Sequence, residues 1–216
     1  MKWLVFGLLM SVSGGWMATL PAQTAAVGKK RIVVLGDSIS AGYGLDRDQA
    51  YPALLQKKVD AEGLPYEVVN AGVSGDTTAG GLRRIDWALG PKGADVLVIA
   101  LGGNDGLRGV SPDQTEKNLT GIVAKARAKN ATIKILIAGM QMPDNLGPKY
   151  VEAFKAVFPK VSTAEKTELL PYLLEGVGGD EKLNQPDRIH PTAEGQQKIA
   201  DLVWAKLKAV LPEAAD

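Results

Sequence analysis

Apolar residues fall into two rhythms along the chain: short continuous runs, and longer stretches with an apolar position every three or four residues. Residues 32–35 form an uninterrupted apolar run that stops at Gly36, as expected of a strand buried on both faces. Residues 66–69, 96–101 and 133–138 read as further strands, 96–101 being the most continuous, and 168–170 offers a short fifth. Helical spacing separates these runs. Residues 51–59 set Leu54, Leu55 and Val59 on one face, and Leu82, Ile85 and Leu89 share a second helix stopped by Gly90-Pro91. Residues 114–128 place Leu119, Ile122, Val123 and Ala126 together. Residues 150–158 form a helix that Pro159 should end. A final helix from about Thr192 repeats Ile199, Leu202, Val203, Lys206, Leu207 and Val210.

Strands alternating with helices predict a parallel sheet covered on both sides, a three-layer α/β/α sandwich. With 216 residues and no repeat, low-complexity tract or linker, residues 27–216 read as one domain. In open sheets of this kind ligands bind at the carboxyl ends of the strands. That rim receives Gly36-Asp37-Ser38, residues 70–78, Gly102-Gly103-Asn104-Asp105 and residues 139–148, four loops rich in glycine and small polar residues.

Charge adds mainly exclusions. The 25 basic and 24 acidic residues include no basic run, so nucleic acid is disfavoured as a partner. The absence of cysteine removes thiolate catalysis and disulfides. One histidine and no cysteine leave no ligand set for a catalytic zinc. The N-terminus is more telling. Lys2 precedes an uncharged stretch over residues 3–26, most apolar at 3–10 and ending in Thr24-Ala25-Ala26. This order reads as a secretory signal peptide over residues 1–26, cleaved after Ala26, giving a periplasmic or secreted protein with no stable membrane span after cleavage. An uncleaved anchor is the alternative, since residues 3–20 almost suffice to span a bilayer; the Ser13-Gly14-Gly15 break favours cleavage. Losing Lys2 takes the basic count from 25 to 24, level with the acidic count.

Any histidine-assisted mechanism must use His190, which lies in Asp187-Arg188-Ile189-His190-Pro191 at the start of the last helix. A basic imidazole works best when a carboxylate holds its other nitrogen, and Asp187 is within reach across a turn. A surface histidine capping a helix would look the same. Ser38 follows the first strand and can expose its hydroxyl above the sheet, but it can equally cap the next helix. It does not sit in G-x-S-x-G, because Ser40 occupies the place of the second glycine. Asn104 can offer an amide, and Gly75 and Ser38 backbone N–H groups, to a developing oxyanion. Each has a bland reading as a turn residue. Together they fall where the sheet would gather them.

The blocks Gly36-Asp37-Ser38-Ile39, Asn70-Ala71-Gly72-Val73-Ser74-Gly75-Asp76-Thr77, Gly102-Gly103-Asn104-Asp105 and Asp187-Arg188-Ile189-His190-Pro191 resemble, in order, those of the GDSL or SGNH hydrolases. Ile39 stands where that family's name has leucine. The resemblance implies a flavodoxin-like sheet of order 2-1-3-4-5, Ser38 as nucleophile, His190 as base, Asp187 as its partner, and an oxyanion hole from Ser38, Gly75 and Asn104. No metal or organic cofactor is implied. Asn104-Asp105-Gly106-Leu107-Arg108-Gly109, Met142-Pro143, and Asn145, Gly147 and Tyr150 are similar to a bacterial periplasmic branch described as arylesterase, acyl thioesterase and lysophospholipase. In that branch the loop after the third block contributes to the acyl site and can move. The expected substrate is a small-molecule acyl ester or thioester.

Leu107, Val110, Met140, Met142 and Leu146 lie on two rim loops and can line an acyl groove, although ordinary packing explains each singly. Carbohydrate O-acetyl ester hydrolysis is open to the same constellation. A non-enzymatic receiver-like domain, with Asp37 and Asp105 around Mg²⁺, is disfavoured by the leader and the Asp187–His190 pair. A flavodoxin-like binding protein is weaker still.

Overall fold

A computed structural model describes residues 28–211. The leader assigned to residues 1–26 lies outside them. Five parallel strands form one sheet: β1 (Lys30–Gly36), β2 (Tyr66–Gly72), β3 (Val96–Ala100), β4 (Lys134–Ala138) and β5 (Glu168–Leu170), in the order β2-β1-β3-β4-β5. The order implied by the resemblance and the fifth strand are both present. β3 is buried at every position, as its unbroken apolar run requires.

The crossovers are helical. α2 (Tyr51–Ala61) joins β1 to β2 and packs beside α7 (Ala193–Leu207) on one face. α3 (Thr78–Leu89), α5 (Pro112–Lys129) and α6 (Pro148–Ala164) lie side by side on the other. Leu55, Val59, Ile85, Leu89, Leu119, Ile122, Val123, Ile199 and Val203 are fully buried between these layers, and Leu54, Leu82 and Leu202 are half-buried.

Several boundaries differ from the sequence reading. Pro159 does not end α6, which runs on to Ala164. Pro159 faces solvent, where water can satisfy the carbonyl its ring orphans, while Phe154, Val157, Phe158 and Val161 continue one buried stripe across it. That packing offsets a proline cost of about 3 kcal/mol. Val210 falls beyond α7, which stops at Leu207. Two rim loops contain short helices, α1 (Ser38–Ala41) and α4 (Gly103–Leu107), too brief to register as periodicity.

Long-range polar contacts fix the rim. Gln196 of α7 is 1% exposed; its Nε2 donates to the Ile39 carbonyl at 3.0 Å and its Oε1 accepts the Tyr51 N–H at 2.8 Å. The C-terminal helix is thereby tied to the turn carrying Ser38. No helix among the described residues is long and apolar enough to cross a membrane.

Candidate active site

β1 ends at Gly36, and Asp37 caps α1 by accepting the Ile39 N–H at 3.0 Å. This turn places Ser38 at the first position of α1, where its own N–H lacks an intrahelical acceptor. His190 arrives from the opposite end of the chain on a tight turn. Asp187 Oδ1 accepts the N–H groups of Ile189 and His190, each at 3.0 Å, with Arg188 in the left-handed region at φ 59°. The Gln185 N–H donates to the His190 carbonyl at 2.7 Å, and Gln185 Nε2 donates to the Tyr43 carbonyl at 2.7 Å.

The three side chains meet. His190 Nδ1 lies 2.6 Å from Asp187 Oδ2, and His190 Nε2 lies 2.9 Å from Ser38 Oγ. The Tyr43 ring, not singled out by the sequence reading, leans on the imidazole with centroids 4.4 Å apart. Such a chain can pass a proton from a hydroxyl to an imidazole whose tautomer the carboxylate fixes.

Gly75 and Asn104 lie on loops of the same rim. Gly75 adopts φ 78°, a conformation that any side chain would strain, and among the described residues its N–H meets no hydrogen-bond acceptor. Asn104 Nδ2 donates to the Asp76 carbonyl at 2.9 Å and lies 3.5 Å from Asp37 Oδ2, leaving its second N–H loosely engaged. The neighbouring Asp105 is fully buried. It accepts the Thr78 N–H at 2.8 Å and the Thr78 hydroxyl, and Thr78 Oγ1 also accepts from Asn118 Nδ2 at 2.9 Å. This network joins the start of α3 to α4.

The two carboxyls at the site titrate in opposite directions. The His190 N–H above all, then the His190 ring and the Ile189 N–H, hold Asp187 down to about 2, so it is anionic beside the imidazole at neutral pH. Burial lifts Asp37 to about 6, against the Ile39 N–H and the His190 charge. Asp37 therefore binds its proton more tightly folded than unfolded. Stability is unaffected below the unfolded value of 3.8, and is lost as pH rises from there through about 6. Asp37→Asn removes that loss while keeping an acceptor for the cap. Urea unfolding at pH 4 and pH 7.5 should show the variant gaining on the wild type by on the order of 3 kcal/mol; a constant difference would refute the assignment.

Beside Ile39 and Ile189 lies a cleft of about 410 Å³, and Leu107, Met140 and Met142 are among its lining residues. It is closed by Tyr172 and Leu174, which the sequence reading missed because they follow the weakly patterned fifth strand. Val110 and Leu146 do not line it. The Val110 carbonyl accepts the Tyr150 hydroxyl of α6 at 2.8 Å. Leu146 sits on a 3-10 turn that carries it into a separate cleft with Pro112 and Tyr150. Met142 packs over Gly106, where a Cβ would come within 2.1 Å of its sulfur.

A parallel α/β/α sandwich with this constellation on its carboxyl rim is the architecture of the SGNH hydrolases. Residues 34–198 match the model of the GDSL-like lipase/acylhydrolase family, and the chain belongs to that family. Esterase TesA of Pseudomonas aeruginosa is 48% identical over 200 residues, covering 93% of this chain and 98% of the relative. Thioesterase 1/protease 1/lysophospholipase L1 of Escherichia coli (strain K12) is 39% identical over 180 residues, covering 83% and 84%. The crystal structure of the psychrotrophic esterase EstA from Pseudoalteromonas sp., inhibited by monoethylphosphonate, superposes with a TM-score of 0.78 at 34% identity, covering 84% of this chain and 98% of that one.

Proposed function

We propose that the chain hydrolyses carboxylic esters and thioesters through an acyl-enzyme on Ser38, with His190 as general base and Asp187 as the carboxylate that orients it. The reading rests on one observation, the continuous hydrogen-bonded chain from Asp187 through His190 to Ser38 at 2.6 and 2.9 Å. His190 Nε2 takes the hydroxyl proton as Oγ attacks the carbonyl carbon. The Ser38 and Gly75 N–H groups and Asn104 Nδ2 receive the oxyanion. The imidazolium returns its proton to the departing alkoxide or thiolate, and water activated by the same nitrogen then cleaves the acyl-enzyme. This chemistry draws on the chain's own residues at every step.

Aryl esters, acyl-CoA-like thioesters and lysophospholipids are the substrate classes favoured by the similar proteins, which include an arylesterase of Vibrio mimicus. The apolar cleft beside Ser38 supports a long acyl chain over a sugar-borne acetyl group. Methionines on its floor suit several chain lengths, because the thioether repacks readily. Export belongs to the same reading, supported by Lys2, the uncharged residues 3–26 and Thr24-Ala25-Ala26.

Turnover of p-nitrophenyl esters from acetyl to palmitoyl, an acyl-CoA and a lysophospholipid tests the proposal. We expect Met142→Ala, which opens the floor, to move the kcat/KM optimum toward longer chains. Leu107→Trp, at the rim, should move it toward shorter ones. Each shift should alter the long-to-short ratio about tenfold. An unchanged profile in both variants would remove the cleft from the mechanism. Failure to turn over all three substrate classes would remove the function.

A further inference from the structure

Arg84 lies on α3, outside the hydrogen-bonded chain and away from the acyl cleft, yet its guanidinium reaches three segments of the rim. Nε donates to Asp76 Oδ2 at 2.6 Å, Nη1 to the Ala71 carbonyl at 2.7 Å, and Nη2 to the Gly36 carbonyl at 2.8 Å. The side chain is 16% exposed and its partner Asp76 is 12% exposed. Gly36 and Ala71 belong to the last two rungs of the β1–β2 ladder, where Leu35 pairs with Ala71 and Gly36 with Gly72. Arg84 thus extends the cross-linking to the point where the ladder stops and the loops begin.

Two of these contacts lie close to expected donors in the chain, and Ala71 lies at the end of β2, which leads to Gly75. Gly36 is two residues before Ser38. Asp76 directly follows Gly75, and its carbonyl accepts Asn104 Nδ2 at 2.9 Å. The Asp76 carboxylate is held on its other oxygen by the Thr77 N–H at 3.1 Å. Gly80 leaves room for it, since a Cβ there would come within 1.6 Å of Asp76 Oδ1. Segments leading to Ser38 and Gly75 therefore converge on one planar group with fixed hydrogen directions, and Asn104 joins them through the Asp76 carbonyl.

We infer that Arg84, acting through Asp76, is a positioning residue that sets the spacing of the three oxyanion donors, an inference that rests on the assignment of Ser38, Gly75 and Asn104 to that role. Donors must be held to within about 0.5 Å of their working geometry, and a rigid fork does this where a flexible ammonium cannot. The proposed contribution is to transition-state binding; breaking the pair from one side also lowers stability, so kcat is compared on folded protein.

Arg84→Lys and Asp76→Asn test this, with Asn104→Ala measured alongside. Asp76→Asn keeps the Arg84 bonds to Ala71 and Gly36, so it decides the matter if Arg84→Lys fails to fold. We expect each positioning variant to lower kcat about 10- to 100-fold with KM within about threefold of wild type, while Asn104→Ala loses about 10²- to 10³-fold. Inhibition by a phenylboronic acid, whose adduct mimics the tetrahedral intermediate, should weaken in proportion to kcat, whereas inhibition by the free fatty acid product should not change. If the folded positioning variants keep kcat within about threefold while Asn104→Ala loses activity, the positioning role is wrong and the donor assignment survives. A shift in melting temperature with kcat intact, or a rise in KM alone, overturns it equally. If Asn104→Ala is itself near wild type, the donor assignment falls and this inference falls with it.

Discussion

Ser38→Ala is expected to lower kcat by roughly 10⁴- to 10⁶-fold on any acyl ester the wild type hydrolyses. The Oγ atom is the group aligned with His190 Nε2, and Ser40 cannot replace it. Ser40 Oγ is buried against the Tyr51 hydroxyl at 2.8 Å, on the far side of α1. The fold has little reason to change. The cap of α1 comes from Asp37 rather than Ser38, and alanine is a good helix former. A near-UV circular dichroism spectrum matching the wild type, together with lost turnover and lost labelling by a fluorophosphonate, is the expected combination. Near-wild-type turnover by a folded Ser38→Ala protein would end the assignment.

The second large effect is expected at Asp187. In Asp187→Asn the side-chain oxygen can still accept the Ile189 and His190 N–H groups, so the turn survives. The amide nitrogen then replaces the oxygen 2.6 Å from His190 Nδ1. Facing a donor, Nδ1 must become the acceptor, which places the proton on Nε2, pointing at Ser38. In that tautomer the imidazole cannot receive the hydroxyl proton, and the imidazolium formed in the transition state loses its counter-charge. A fall in kcat of roughly 10⁴-fold at neutral pH follows, with KM little changed. Asp187 is held low enough to stay ionised far below neutrality, so its protonation does not limit the wild type between pH 5 and 8. A variant within tenfold of wild type would mean that position and hydrogen bonding at His190 do not depend on the carboxylate.

The layered architecture was legible because its signal is local: continuous apolar runs for β1, β3 and β4, and helical spacing between them. The pairing of Ser38 with His190 was legible for another reason. The sheet's topology brings distant loop residues to one rim, and with one histidine the choice of base was already made. What escaped notice involves pairs without periodicity. Arg84 and Asp76 share no sequence pattern that pairs them; the strand-end carbonyls beside Arg84 show the junction only in the fold. Tyr43 gives no sign that it packs on an imidazole nearly 150 positions away. Val110 and Leu146 misled because rim loops have two sides, and hydrophobicity does not say which side a residue takes. Pro159 misled because a local rule was outweighed by Phe158 and Val161, which pack on either side of it.

The Gln196 clamp has a consequence for the order in which the molecule becomes competent. During synthesis Ser38, Gly75 and Asn104 precede His190 and Gln196, whose side chain ties α7 to the Ile39 carbonyl. Until α7 docks, the turn carrying Ser38 lacks the Gln196 hydrogen bond to the Ile39 carbonyl. Trp204, buried on α7, would report that docking by its fluorescence, and hydrolytic competence should rise with the same time constant.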